Sequence, residues 1–283
     1  MAGYDHTARV CQREEGTGLG APVNDSGNWP LIDTHCHLDI ERYFPDCEAT
    51  VRRSRAAGVH HLVIAGVDRS GWARMLELSR RFPGVHAAPG MHPMYLDGHR
   101  PEDLEALEEI TETGEVVAIG EVGLDYSVPN SDRGVQQELF EAQVDLARRR
   151  RLPLLLHVRK AHDVVLATLR RKRFSAGGIV HAFNGSYQQA SHFINMGFKI
   201  GICGTITYER SRKIRSVAQA LPLAALVLET DAPDIPPARH RGERNQPEYL
   251  PEILAALVEI RSEGYVRIAR QTRLNSLQVL KLP

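Results

Sequence analysis

From Leu31 onward the chain alternates short, almost wholly apolar runs with longer amphipathic ones. LIDTHC precedes DCEATVRRSRAAG, HLVIAGV precedes SGWARMLELSRRF, VHAAPGMH precedes PEDLEALEEIT, and VVAIGEVGL precedes RGVQQELFEAQVDLARRRR. LPLLLHV then leads to AHDVVLATLRRKRF, GGIVHAF to YQQASHFINM, FKIGICGTI to ERSRKIRSVAQA, and AALVLETDA to PEYLPEILAALVEIR. A last amphipathic stretch, YVRIARQTRLNSLQVL, closes the chain. A strand with one wet face alternates apolar and polar residues, whereas a run apolar throughout belongs to a strand covered on both faces, as in a parallel sheet flanked by helices. Eight strand–helix units in succession predict an α/β protein, a (β/α)8 TIM barrel, with element ends defined to within a few residues.

No linker or composition break interrupts residues 31–283, so the pattern predicts one barrel domain, of a size usual for that fold. Residues 1–30 lack both the rhythm and the apolar stretch of a secretory signal; they read as a flexible extension, or as translation begun upstream of the true start. No run of 18 apolar residues is present, which predicts no membrane association. Thirty-five basic residues balance 35 acidic ones, so any polyanion must be held by local charge rather than by a global field. The four cysteines are scattered without C-x-x-C spacing, as expected of a reduced, cytoplasmic protein.

In such a barrel catalytic groups gather at the carboxyl ends of the strands. His35 and His37 close the first strand, Glu121 follows VVAIG on the fourth, His157 follows LPLLL on the fifth, His181 follows GGIV on the sixth, and Asp231 follows LVLET on the eighth. Any one of these could be an ordinary core or capping group. Six at one rim would carry heavy desolvation costs unless a cation compensates them. Four imidazoles and two carboxylates also exceed the needs of one tetrahedral ion, whereas two divalent ions about 3.5–4 Å apart, bridged by a carboxylate, use them all. Asp33 and Glu229 stand two residues from a ligand candidate, positioned to orient an imidazole or water or simply to satisfy the core.

The motifs DTHCHLD, GMHP, GEVGLDY, LLLHVRKAHD, VHAFNGS and ETDAPD resemble the motif set of the TatD-family metal-dependent deoxyribonucleases, within the amidohydrolase-like superfamily. The resemblance runs from Leu31 to the end and is strongest to the YjjV-type subgroup, through GFKIGICGTITY and LPLAALVLETDAPDIP. Val158 stands where relatives often carry Ser. The resemblance implies a nuclease of DNA ends, with one ion on His35, His37, Glu121 and Asp231 and a second on Glu121, His157 and His181. Glu121 would bridge them. The ions would be Mg2+, Mn2+ or Zn2+; this donor mix does not choose among them.

Phosphodiester hydrolysis needs a nucleophilic oxygen and positive charge at the phosphate. Asp231 is the candidate general base. His92 of GMHP, Arg159 after the fifth strand and Asn184 after the sixth are candidate substrate contacts, with Arg159 suited to bidentate capture of phosphate. The basic clusters at 148–151 and 170–173 precede strands and read as solvated helix ends on the opposite rim. Lys160, residues 209–213, Arg239, Arg241 and Arg244 follow strands and should rim the mouth, with Tyr95, Tyr126, Phe183 and Tyr208 available to stack unpaired bases. The expected partner is therefore single-stranded DNA ends, with no obligate protein partner. Two rival readings remain at this point: a barrel hydrolase of a small amide, lactone or phosphoester, and a non-catalytic protein whose metal is structural. In the first, relatives often bridge the ions through a modified lysine where this chain has Glu121.

Overall fold

Eight parallel strands carry the site: β1 (Leu31–Cys36), β2 (Val59–Ala65), β3 (Val85–Ala88), β4 (Ile119–Asp125), β5 (Leu154–Arg159), β6 (Gly178–Val180), β7 (Phe198–Ile202) and β8 (Leu226–Leu228). The crossover helices are α1 (Cys47–Ala56), α2 (Arg69–Arg81), α3 (Pro101–Glu112), α4 (Arg133–Arg150), α5 (His162–Arg171), α6 (Tyr187–Asn195), α7 (Arg212–Ala220) and α8 (Leu250–Ile260), with α9 (Tyr265–Leu280) last. The computed structural model describes residues 29–40, 44–129 and 131–283. Continuous ladders run β1-β2-β3 and β4-β5-β6-β7-β8. The two sheets meet at single parallel bridges, Ala87 with Val116 and Cys36 with Ala232, which close the ring into the expected barrel. Among the described residues no helix is long and apolar enough to cross a membrane.

Alternation along each strand sorts its side chains into two sets. Leu62 and Ile64 of β2 join the outer core under the helices, while Val63 and Ala65 join a separate cluster with Ala88, Ala118, Leu155, Ile179 and Val227. That second cluster is the barrel interior, plugged by Val279, Leu280 and Leu282 from the end of the chain. Several predicted strands stop earlier than their apolar runs. VHAAPGMH leaves the ladder at Ala88, before Pro89, which has no N–H to give. GGIVHAF ends at Val180 and AALVLETDA at Leu228. The residues released are those that turn over the mouth, including His92, His181 and Asp231.

The expected extension at 1–30 falls outside the described residues up to position 28. Trp29 is half-buried against the core with the Arg270 guanidinium 5.4 Å from its ring centroid, a contact that an arginine on the outer face of α9 makes available. Cys36, Cys47 and Cys203 are buried free thiols.

At the amino-terminal end of the interior, His61 follows the inward phase of Val63 and His86 that of Ala88. Their rings lie nearly parallel, 7° apart, with His61 Nδ1 2.9 Å from His86 Nε2. One proton can sit between these nitrogens and two cannot. Burial pushes His61 from 6.5 to about 4, with repulsion from His86, Arg273 and His60 adding to it. The folded value lies below the unfolded one, so stability from the neutral ring is complete above 6.5 and is lost as pH falls toward about 4, where the unfolded chain takes up the proton more readily. Urea unfolding at pH 7 and pH 5 should show the wild type losing more stability over that interval than His61→Gln; equal losses would contradict this linkage.

Candidate active site

Glu121 lies in the middle of β4 with its carboxylate 2% exposed and its two oxygens facing different groups. Oε2 is 3.1 Å from His35 Nε2 and 3.6 Å from His37 Nε2. Oε1 is 2.7 Å from His157 Nδ1 and 3.2 Å from His92 Nε2. Asp231 faces the same centre, its Oδ1 lying 3.7 Å from His35 Nε2, 3.5 Å from His37 Nε2 and 3.4 Å from His181 Nε2. All six donors expected from the strand ends therefore meet at one mouth.

The strands position these groups through short-range rules. His35 and His37, two apart at the end of β1, present their rings to the same face, 5.1 Å between centroids. β1 is tied to the loop after β8 by Asp231 N–H donating to His35 O and His37 N–H donating to Ala232 O, both at 2.8 Å. Asp33 supports that tie: its carboxylate accepts from Thr230 N at 2.9 Å and Thr230 Oγ1 at 2.5 Å. It meets no imidazole side chain, so its work is to hold the two ligand-bearing segments together. Gly123 of β4 has φ +148°, and a Cβ there would lie 2.0 Å from His157 O; only glycine lets β5 approach this closely.

The far nitrogen of each ring sets which nitrogen faces the centre. His37 Nδ1 lies 3.0 Å from Ala65 O and donates to it, so the Nε2 lone pair points inward. His157 Nε2 lies 2.9 Å from Asp125 Oδ2, leaving Nδ1 toward Glu121. His181 Nδ1 is 3.1 Å from Glu229 Oε1 but without the alignment of a hydrogen bond, and Nε2 faces Asp231. Glu229 also accepts from Ala182 N at 2.6 Å, as expected of a group that orients His181. His92 differs: its Nδ1 accepts from Met94 N at 3.1 Å, so the neutral ring carries its proton on Nε2 and acts as a donor rather than a ligand.

Burial by itself would depress the imidazoles and raise the acids, but the opposed charges outweigh it here. His37, despite burial, is held at about 9 by Asp231 and Glu121, and His157 at about 9 by Asp125 and Glu121. Glu121 and Asp231 are pulled below the ordinary carboxylate range by the surrounding histidines in spite of burial. Burial wins at His35, which is lowered with His181 adding to it, and at His92, which falls to about 4.

Among the described residues three donor sets are close enough to hold a cation: His35 with His37 and Asp231, His92 with Glu121 and His157, and His35 with His181 and Glu229. The first matches the expected first ion set, which Glu121 Oε2 completes. In the second, His92 stands where His181 was expected. His181 is drawn instead toward the carboxylates Asp231 and Glu229, and it stacks on His35 at 3.6 Å between centroids. Among the described residues, buried His35 Nδ1 and His181 Nδ1, on the side of these rings away from Glu121 and Asp231, and Glu229 Oε2 have no hydrogen-bond partner.

Three residues absent from the sequence reading hold this arrangement. Asp125, the aspartate of GEVGLDY, binds His157 through Oδ2, while its Oδ1 accepts from Ser127 N and Oγ. On the buried face of α4, Gln136 forms a two-way amide pair with the backbone of Asp125, and Gln143, seven residues on, forms the same pair with Met91 beside His92. The available signal was two glutamines two turns apart on an otherwise apolar helix face.

A cavity of about 740 Å³ opens over the donors. His92, Arg159 and Asn184 all line it, as does Lys160. Of the four aromatics expected at the mouth, Tyr95 is 47% exposed and Phe183 is only 4% exposed, packed on Phe193. Tyr208 spends its hydroxyl on Pro236 O, and Tyr126 lies under Arg133. Arg239, Arg241 and Arg244 do not line the cavity, and Arg244 is paired with Asp46. On the opposite rim Arg148, Arg149, Arg150, Arg171 and Lys172 are paired with acidic neighbours, as expected of solvated helix ends.

Residues 32–281 match the family profile described as TatD related DNase. The metal-dependent hydrolase YjjV of Escherichia coli K12 is 40% identical over 255 residues, 89% of this chain and 98% of that protein. Its crystal structure superposes with a TM-score of 0.86, covering 90% of this chain and 99% of that one. A Klebsiella pneumoniae protein named 3'-5' ssDNA/RNA exonuclease TatD is 33% identical over 251 residues, 87% of this chain and 95% of its own length. Profile, sequence and backbone thus agree with the geometry of the mouth, and the chain belongs to the TatD-related DNase family of metal-dependent hydrolases.

Proposed function

We propose that this protein is a two-metal phosphodiesterase that degrades DNA from single-stranded ends. The observation that carries the reading is the split of the Glu121 carboxylate, one oxygen toward His35 and His37 and the other toward His157. A structural ion is normally closed by four donors, and a carboxylate presented to two imidazole groups suits a bridge instead. His35, His37, Glu121 and Asp231 would hold one divalent ion, and Glu121, His157 and His181 the other; Mg2+, Mn2+ and Zn2+ all accept such donors. Bound there, the ions supply Lewis-acid polarisation of the phosphate and acidify water.

The chain's own groups do the rest. Asp231, whose carboxylate edge lines the cavity, is placed to accept a proton from the attacking water. His92 presents an Nε2 proton beside Glu121 and can donate to a phosphate oxygen. Arg159 offers a planar fork to a phosphate and Asn184 a neutral amide to phosphate or sugar, both from the exposed lip of the cavity. The Klebsiella relative's name agrees with this substrate class.

With Mn2+ or Mg2+ and an end-labelled single-stranded oligonucleotide, the protein should release nucleotides, chelation should stop it, and Glu121→Ala should lower the rate at least about 100-fold. Absence of release with every divalent ion tried would overturn the reading. Asp125→Asn keeps the shape but removes the charge behind His157. It should weaken divalent-ion binding about 10- to 100-fold by calorimetric titration, and unchanged affinity would show that Asp125 does not orient this ring.

A further inference from the structure

Seven non-glycine residues hold positive φ among the described residues. Arg151 and Lys281 are left-handed caps of α4 and α9, and Arg173 follows the end of α5, places where such a turn is the usual way to stop a helix. The other four, Lys160, Ala182, Asp231 and Ile235, all line the cavity. Any side chain in that region costs free energy that glycine avoids, so such turns persist where the surroundings impose them and often where function uses them. Asp231 supplies a donor to the central cluster, and Ala182 gives its N–H to Glu229. Lys160 does neither. Its turn, at φ +55°, carries an exposed ammonium to the lip directly after Arg159.

The charges around the lip are unevenly divided. Among the described residues neither Arg159 nor Lys160 is ion-paired, and next along the same side Lys213 donates to Asn184 O at 3.0 Å. The lining carboxylates, Glu121, Asp231 and Asp234, belong to β4 and the segment after β8. A substrate with a single phosphate, seated on the central donors, uses one cation at the lip. Two adjacent cations at the lip of the cavity match a chain in which a second phosphate follows the first. The guanidinium fork suits the phosphate nearest the donors, and the flexible ammonium, a point charge, suits its less fixed neighbour.

We propose that Lys160 is a specificity-determining residue that holds the phosphate next to the scissile one, so that the site selects a chain of at least two successive phosphodiesters over a small phosphodiester. This rests on the phosphodiesterase reading above. Lys160→Gly removes the charge while keeping the left-handed turn, Lys160→Gln removes it with a side chain retained, and Lys160→Arg keeps it. Binding of a fluorescent single-stranded oligonucleotide to chelator-treated protein, followed by anisotropy across salt concentrations, should show the log–log slope falling by about 0.7 in both neutral variants and restored in Lys160→Arg. With Mn2+, the ratio of KM for the oligonucleotide to KM for bis(p-nitrophenyl) phosphate should rise about fivefold or more in the neutral variants. An unchanged slope and ratio, or a Lys160→Arg that behaves like Lys160→Gly, would overturn the proposal. A wild type that degrades the oligonucleotide while the neutral variants keep its slope and ratio overturns this proposal alone, whereas one that releases no nucleotide from the oligonucleotide overturns the reading of the site as well.

Discussion

The mouth of this barrel is organised around one buried carboxylate. Glu121 sits on β4 with imidazoles from β1, β5 and the loop after β3 within 3.6 Å of its oxygens. A carboxylate so enclosed is tolerable only if positive charge stays beside it, because removing it from water unpaired would cost several kcal/mol. The histidines beside it are themselves fixed from behind, His37 by Ala65 O and His157 by Asp125. Behind Asp125 stands Gln136, and behind the His92 loop stands Gln143, both on α4. Helix packing on the outside of the barrel therefore reaches the chemistry inside the mouth through two buried amides.

Much of this was legible in the sequence because barrel topology converts position into place. Once LIDTHC, VVAIG, LPLLL, GGIV and LVLET are strands of one closed parallel sheet, the polar residue after each run must face a common mouth. The supporting residues were not legible in the same way. Asp125 lies in a motif already singled out, yet its role depends on the ring orientation of His157, which no spacing encodes. Gln136 and Gln143 look like ordinary helix residues until α4 is docked. His92 lies beside Glu121 as a donor because Met94 N occupies its Nδ1, a local contact that no spacing encodes. Trp29, a lone aromatic before the first strand, carries no periodic signal, although Arg270 of α9 lies over its ring.

Backbone strain and charge share a geography. Among the described residues the non-glycine positive-φ positions that are not helix ends lie around the cavity, and Arg159 and Lys160, without an ion pair there, lie around it too. On the opposite rim Arg149, Arg150, Arg171 and Lys172 are paired with Glu108, Glu112, Glu141 and Asp145. A chain with no net charge thus sets two cations beside its buried carboxylates, where an anionic substrate would be drawn onto the donors.

Glu121 as the bridge between two ions is the claim on which the functional account turns, and counting ions tests it without any assay of turnover. Protein loaded with Mn2+, desalted and analysed by inductively coupled plasma mass spectrometry should carry two ions per chain, and Glu121→Gln should carry fewer. A wild type that binds a single ion at saturation, or a Glu121→Gln that still binds two, would contradict it.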